Sequence, residues 1–445
     1  MVEVVAKKPG RLILIELNEL NFDVVRRYVS AHPLPGFQRL LTGSQIHTSA
    51  ESTYESLEPW IQWPSAHCGL TADEHQVFRL GDIVHSKAPQ LFEELERRGL
   101  RVGAVSPMNA ENRLSEPAYF IPDPWTRTPT DNSWWSRVLS AAVAQAVGDN
   151  SKNTITPRTG FHLALGMLRF AQPKNYGKYL ALALRSRGAP WRKALILDLL
   201  LHDIHMRLFR SRRADFSTLF LNAGAHIQHH YFFNARLLRE QLTLRNPSWY
   251  VAEDVDPICE MLAVYDRILS DYLEIPGVDV IVATGLSQKP YDRVKFYYRL
   301  RDHAAFLRAA GIEFREVLPR MTRDFLVEFP DADSAQAAAQ RLSSITVDGG
   351  LPMFGEIDNR GSSLFVTLTY PHEITGETRF EVDGRPASLE PHVVFVAIKN
   401  GMHQEKGFAY FTPNVSPFAP RDGDHVKELY RTIMRYFRTS APASE

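Results

Sequence analysis

The sequence predicts an α/β fold built on a central, mostly parallel sheet, with a helical insertion and a small α+β cap. Three observations carry this. The head of the chain alternates short apolar runs with amphipathic segments. RLILIE (residues 11–16) ends on a polar residue, FDVVRRYVSA follows with Asn21 placed to cap it, and SKAPQLFEELERRG (86–99) closes on Gly and leads into LRVGAVSP. Strand and helix alternating on this scale wind a parallel sheet, because parallel neighbours need a crossover between them. The second observation is a lapse over residues 131–214, where FHLALGMLRF, KYLALALRSR and WRKALILDLLLHDIHMRLFRSRR are all helical in pattern. The third is the return of strands at FSTLFLNAGAH (216–226) and, after a helix around Ile258–Leu273, at VDVIVATGLSQ (278–288).

From 291 to 389 the character changes. FLVEFPDADSAQAAAQRLSSITV and SLFVTLTYP read as a separate α+β unit. HVVFVAIKNGMHQEKGFAYFTP is expected to rejoin the main sheet, and DHVKELYRTIMRYFR to close the chain as a helix. The expected layout is a core of residues 1–130, 215–290 and 390–440, a basic helical insertion at 131–214 and a cap at 291–389. The tail SAPASE is expected to be disordered.

Composition excludes little. Lys plus Arg and Asp plus Glu are both 51 among 445 residues, so net charge selects no partner. The apolar run of MVEVVAKKPGRLILIELNEL stops at Glu16, which fits neither a signal peptide nor a membrane span. Cys68 and Cys259 form no disulfide framework, and a cytoplasmic protein is expected. Charge is nevertheless uneven. From Ser151 to Arg213 there are thirteen Lys or Arg against two acids, Asp198 and Asp203. Such a run is either a solvated helical face or a docking surface for an anionic partner: a phosphorylated glycan, a lipid head group or a membrane face. No nucleic-acid motif accompanies it.

Ligands of open α/β sheets bind beyond the carboxyl ends of the strands. Four polar pairs fall at such ends: Glu16 with Asn18, Asn222 with His226, Thr284 with Ser287, and His403 with Glu405. Glu405 stands two residues past His403, where it could orient the ring. In AHIQHHYFF, His226 and His230 have the i,i+4 spacing of one helical face. His202 and His205 flank Asp203 inside a basic amphipathic helix and read first as structural.

CGLTADEHQVF, SKAPQLFEELERRGLRVGAVSP, NAGAH (222–226) and GMHQEKGFAYF follow one another along the chain. With Cys68, Gly69 and His75 in register with a family turn, they resemble segments of the alkaline phosphatase superfamily, nearest to its type I phosphodiesterase and nucleotide pyrophosphatase branch. The resemblance implies an alkaline-phosphatase-like sandwich and a divalent-metal phosphoesterase. It also extends to sequences associated with bacterial surface-polysaccharide clusters, implying a glycan-linked substrate. The departures are as informative. The family nucleophile precedes an aromatic residue and a Pro that starts a helix, and that position is Gln62 in Gln62-Trp63-Pro64. Ser65 is the nearest hydroxyl, and at a helix N-terminus it would lie among free N–H groups suited to an anion. Two answers stay open: Ser65 as nucleophile, or no covalent nucleophile. One family ion would be held here by Asn222, His226 and His403. The second would match Glu16, Gln62, and Thr284 with Gly285, of which only Glu16 is a good ligand, so that second site is lost or rebuilt.

The reading is a hydrolase or transferase for a phosphate ester, in preference to sulfate, with a glycan- or lipid-linked anionic substrate. One divalent ion, zinc or manganese, would sit on Asn222, His226, His403 and Glu16. Gln62, Ser65 and Glu16 would be catalytic, and Asn18, His230, Thr284, Ser287 and Glu405 would bind substrate. The alternatives are a non-catalytic binding or scaffold protein, favoured by loss of the nucleophile, and a different chemistry on the same fold.

Overall fold

A computed structural model describes residues 10–148, 156–320, 323–355 and 357–438. The expectation of disorder for SAPASE lies outside these residues. The chain forms two compact units, one of residues 1–145, 156–290 and 401–445, the other of residues 146–155 and 291–400.

The first unit is an α/β structure around a mixed seven-stranded sheet. Its strands are β1 (Arg11–Leu17), β2 (Ser44–Ser49), β3 (Val102–Val105), β4 (Tyr119–Ile121), β5 (Phe216–Leu221), β6 (Val278–Ala283) and β7 (Lys406–Phe411), in the order β2-β7-β6-β1-β5-β3-β4. β1 is central and parallel to both neighbours, with Glu16 opposite Phe220 of β5 and Ala283 of β6. It is covered on both faces, which is why its sequence is a continuous apolar run rather than an alternating one. β7 alone runs antiparallel, against β2 and β6. Its first residues therefore lie at the edge where the parallel strands end, and the segment before Lys406 is delivered to that edge.

Helix α1 (Phe22–Ala31) starts as expected, with the Asn21 side-chain oxygen accepting from the N–H groups of Asp23 and Val24. Helix α2 (Pro59–Cys68) does not. Its first residue is Pro59, and Pro64 lies inside it. Pro64 has no N–H for the carbonyl of Trp60, and Asn109 Nδ2 donates to that carbonyl at 2.8 Å instead. Gln62 and Ser65 thus sit within the helix, where backbone N–H groups are already used: that of Gln62 donates to Glu58 O. The expected helix N-terminus at Ser65 is corrected accordingly.

Within 131–214 lie helices Trp134–Gly148, Pro157–Phe170, Tyr176–Leu184 and α3 (Trp191–Arg212). α3 packs against β3 and β5, burying Leu195, Leu199, Ile204 and Phe209. The long helices α4 (Ala223–Tyr231) and α5 (Pro257–Leu273) pack on each other and on α3. The main core gathers Leu12, Leu14, Trp63, Phe92, Phe120, Phe216 and Phe220.

HVVFVAIKN does not rejoin the main sheet. Val393–Gln404 pairs with Ser287–Leu300 in a two-stranded sheet, and only β7 re-enters the main one. The difference is visible in burial: Val393–Gln404 is largely half-exposed, as a ribbon is, whereas β7 is buried almost throughout. The second unit also holds two four-stranded sheets and the helices His303–Ala309 and Ala332–Ser343, around Phe306, Phe325, Phe354 and Phe380. No described helix is long and apolar enough to cross a membrane.

Candidate functional site

Past the end of β1 the chain turns at Glu19, whose φ of 58° is left-handed. A non-glycine residue there costs about 1–3 kcal/mol and persists only where its surroundings hold it. Here they do. The Glu19 N–H donates to Thr284 O at 3.0 Å, and its carbonyl accepts from Gln288 N–H and from Gln228 Nε2. The turn carries the carboxylate beyond the sheet edge. Oε1 accepts from Asn18 Nδ2 at 3.0 Å, and Oε2 accepts from Gln288 Nε2 at 2.5 Å. His229 Nε2, from α4, and His403 Nε2, from the segment before β7, each lie 3.0 Å from the same Oε2. The two imidazole nitrogens are 3.2 Å apart.

Glu19 is buried, while His229 and His403 are half-buried and reach the surface. Burial alone would raise the Glu19 pKa, but His403 and His229 hold its carboxyl well below the usual range. Burial alone would lower that of His403. The charge and hydrogen bond of Glu19, then Glu58, whose Oε2 is 3.6 Å from Nδ1, push it up to about 9.

Two imidazole nitrogens and a carboxylate oxygen are ligands of a borderline divalent cation. Among the described residues this is the one group of three His, Cys, Asp or Glu that could hold a metal ion. Its spacing fits. Ligands 2.0–2.1 Å from a tetrahedral ion stand about 3.3 Å apart, close to the 3.0–3.2 Å observed here. Three protein ligands leave a fourth position for water or substrate. Asn18 and Gln288 orient the carboxylate from behind, as outer partners of metal ligands do. Gly401 permits this: a Cβ there would lie 2.1 Å from Gln288 Oε1 and 2.7 Å from the Gln228 carbonyl.

Of the residues expected at a metal site, His403 is in this group. Asn222 adjoins it through Asn18, whose Nδ2 donates to Asn222 Oδ1 at 2.8 Å while Trp63 Nε1 donates to Asn18 Oδ1 at 2.8 Å. His226 is outside this group of three, its ring 5.0 Å from that of His230, and burial, with His229 adding, lowers its pKa to about 4. Glu16 is fully buried, with Oε1 2.9 Å from His67 Nε2 and 2.5 Å from Thr218 Oγ1. The reason is register. Glu16 is still paired between β5 and β6, beneath the edge that Glu19 clears.

Gln62 is likewise enclosed, donating from Nε2 to Ser56 O and accepting from Glu51 N–H. Ser65 Oγ donates to Ile61 O and lies 3.0 Å from His75 Nε2. His75 Nδ1 accepts from Val77 N–H, so the neutral ring carries its proton on Nε2 and donates to Ser65 rather than accepting from it. Thr284 Oγ1 accepts from Phe408 N–H, and Ser287 Oγ accepts from Gln404 Nε2 while donating to Lys406 O. Glu405 is exposed, and the carboxylate facing His403 Nδ1 is that of Glu58.

Glu19 and His229 were not singled out by spacing. Glu19 stands in LNELN, one residue past Asn18, but nothing in that string announces a left-handed turn. His229 is adjacent to His230, and only the rotation of α4 relative to His403 decides between them.

No protein-family model matches the chain, and no curated protein matches it. Among solved structures it is similar to phosphonoacetate hydrolase from Sinorhizobium meliloti 1021 in complex with phosphonoacetate, at 12% identity over 98% of this chain and 97% of that one, with a TM-score of 0.44. It is also similar to murine ectonucleotide pyrophosphatase/phosphodiesterase 5, at 11% identity over 98% and 97%, with a TM-score of 0.38. The alkaline phosphatase from the Antarctic bacterium TAB5 stands at 7% identity over 97% and 99%, with a TM-score of 0.40.

Proposed function

We propose that the chain is a divergent member of the alkaline phosphatase superfamily that cleaves or transfers a phosphate ester, in preference to sulfate, with one divalent ion held by Glu19, His229 and His403. The observation that supports it is the convergence of these three side chains at the carboxyl edge of the sheet. A cation bound there would supply Lewis-acid polarisation of a phosphoryl oxygen. Zinc suits the two imidazoles, and manganese suits the carboxylate. The chain's own residues fix the geometry: Asn18 and Gln288 hold the carboxylate, Glu58 faces the outer nitrogen of His403, and Asn222, with Oδ1 taken by Asn18, has its Nδ2 as a donor for a phosphoryl oxygen. The buried, donating-in pair of His75 and Ser65 favours attack by water over a Ser65 ester. A substrate with further anionic groups, glycan- or lipid-linked, matches the excess of Lys and Arg over residues 151–213, and a cytoplasmic setting suits the two free cysteines.

The test is elemental analysis of the purified protein followed by turnover of p-nitrophenyl phosphate and its bis-ester with zinc and with manganese. Near-stoichiometric metal and turnover of either ester are expected. Metal without turnover of any phosphoester would favour the binding-protein alternative, and absence of metal after both additions would sink the metal reading. Ser65→Ala should leave turnover within a few fold; abolition would restore the covalent mechanism.

A further inference from the structure

We propose that helices Pro157–Phe170 and Tyr176–Leu184 form a docking surface for an anionic lipid membrane. Helix Tyr176–Leu184 carries an uncovered apolar stripe at i, i+4 and i+8: Tyr176, Leu180 and Leu184 are 51%, 61% and 74% exposed, while Tyr179 and Leu182, on its other side, are buried. Helix Pro157–Phe170 repeats the pattern, with Phe161 and Leu168 at 60% and 78% exposure, seven residues apart and so on one face. Both helices pack on α3 with their buried residues, which leaves these stripes outward. Isolated exposed apolar side chains are ordinary, but stripes on two helices with a common support mark an interaction surface.

Charge selects the occupant. Arg158, Arg169, Arg185 and Arg187 are exposed at the ends of the two helices. The acids of the stretch, Asp198 and Asp203, are both buried, Asp198 on Tyr265 and the first N–H groups of α4, Asp203 on Tyr179 and Asn175. No acidic side chain of residues 157–213 therefore offsets the exposed arginines. The nearby carboxylate of Glu260, from α5, is taken up by Arg192, so Arg158, Arg169, Arg185 and Arg187 set the exposed charge beside the stripes. An apolar stripe beside exposed cations is the composition of helices that lie in the headgroup region of anionic bilayers. The absence of any described helix fit to span a bilayer is consistent with lying on it. This surface is independent of the metal centre, and it would bring that centre to lipid-linked substrates.

The experiment is co-sedimentation of the full chain with vesicles of phosphatidylcholine alone and of phosphatidylcholine with phosphatidylglycerol. Binding to the anionic vesicles only, weakened by 0.5 M salt, is expected. The double variant Leu180→Ser, Leu184→Ser should abolish it, and Arg185→Gln with Arg187→Gln should weaken it roughly 25-fold, at about 5-fold per cation. All four sites are exposed, and unchanged thermal unfolding of the variants would show that the fold is intact. His403→Ala should bind vesicles as wild type does, so failure of the metal reading would leave this one standing. No binding, equal binding to both vesicles, or wild-type binding by the leucine variants would overturn the proposal. A dimer that the leucine variants convert to monomer would assign the stripe to a second copy of the chain and overturn it equally.

Discussion

Glu19 Oε2 stands 3.0 Å from His403 Nε2, and this contact ties the turn after the central strand to the segment entering the single antiparallel one. The two residues are 384 positions apart in a chain of 445. Their meeting follows from β7 running backwards beside β6, so that its start and the end of β1 share an edge.

Metal content should depend on all three ligands. His403→Ala and His229→Ala should each weaken zinc binding by at least about 10- to 100-fold, since outer partners of metal ligands alone are worth that much. Titration followed by elemental analysis reads this directly. Retention of full affinity in either variant would exclude that histidine, and His226→Ala, outside the group of three, serves as the comparison.

Asn18→Ala should destabilise the protein by about 1–3 kcal/mol, the cost of leaving buried partners unsatisfied. It removes the acceptor of Trp63 Nε1 and the donor to Glu19 and Asn222 together. Urea unfolding measures the loss. A change near zero would mean that water takes over these bonds.

Gly401→Ala should act at a distance from the ligands. Its new Cβ would lie 2.1 Å from Gln288 Oε1 and 2.7 Å from the Gln228 carbonyl, so one of them must move. About 1–3 kcal/mol of overpacking is expected, together with weaker metal binding through displaced Gln288. Loss of stability with unchanged metal affinity would show that Gln288 does not position Glu19.

Stability should fall in mild acid. Burial lowers the pKa of His75 to about 4 and that of His205 to about 3. Unfolded histidine titrates near 6.5, so between about pH 6.5 and pH 4 the unfolded chain binds more protons, and stability drops as pH falls through that window. Thermal unfolding at pH 7.5, 5.5 and 4.5 should show a progressive decrease, partly flattened in His75→Gln. A melting temperature constant to pH 4.5 would contradict the burial of these rings.

The sequence by itself determined the α/β class, because a doubly covered parallel strand reads as a near-continuous apolar run, and RLILIE, FSTLFL and VDVIVA are mostly apolar runs of that kind. It determined the cap of α1, since Asn21 needs only its own next residues to act. It also placed Asn18, Asn222 and His403 at strand ends. What only the tertiary structure decided is which polar groups leave the sheet. Glu16 and Glu19 are three residues apart, yet one is paired between β5 and β6 and the other lies past a left-handed turn held by Thr284, Gln228 and Gln288. The choice of His229 over His226 is likewise a matter of helix rotation against a strand that arrives from residue 406. The position of Ser65 within α2 rests on Asn109 satisfying the carbonyl that Pro64 leaves open. Each of these is a contact between residues far apart in the chain, and local periodicity carries no information about such contacts.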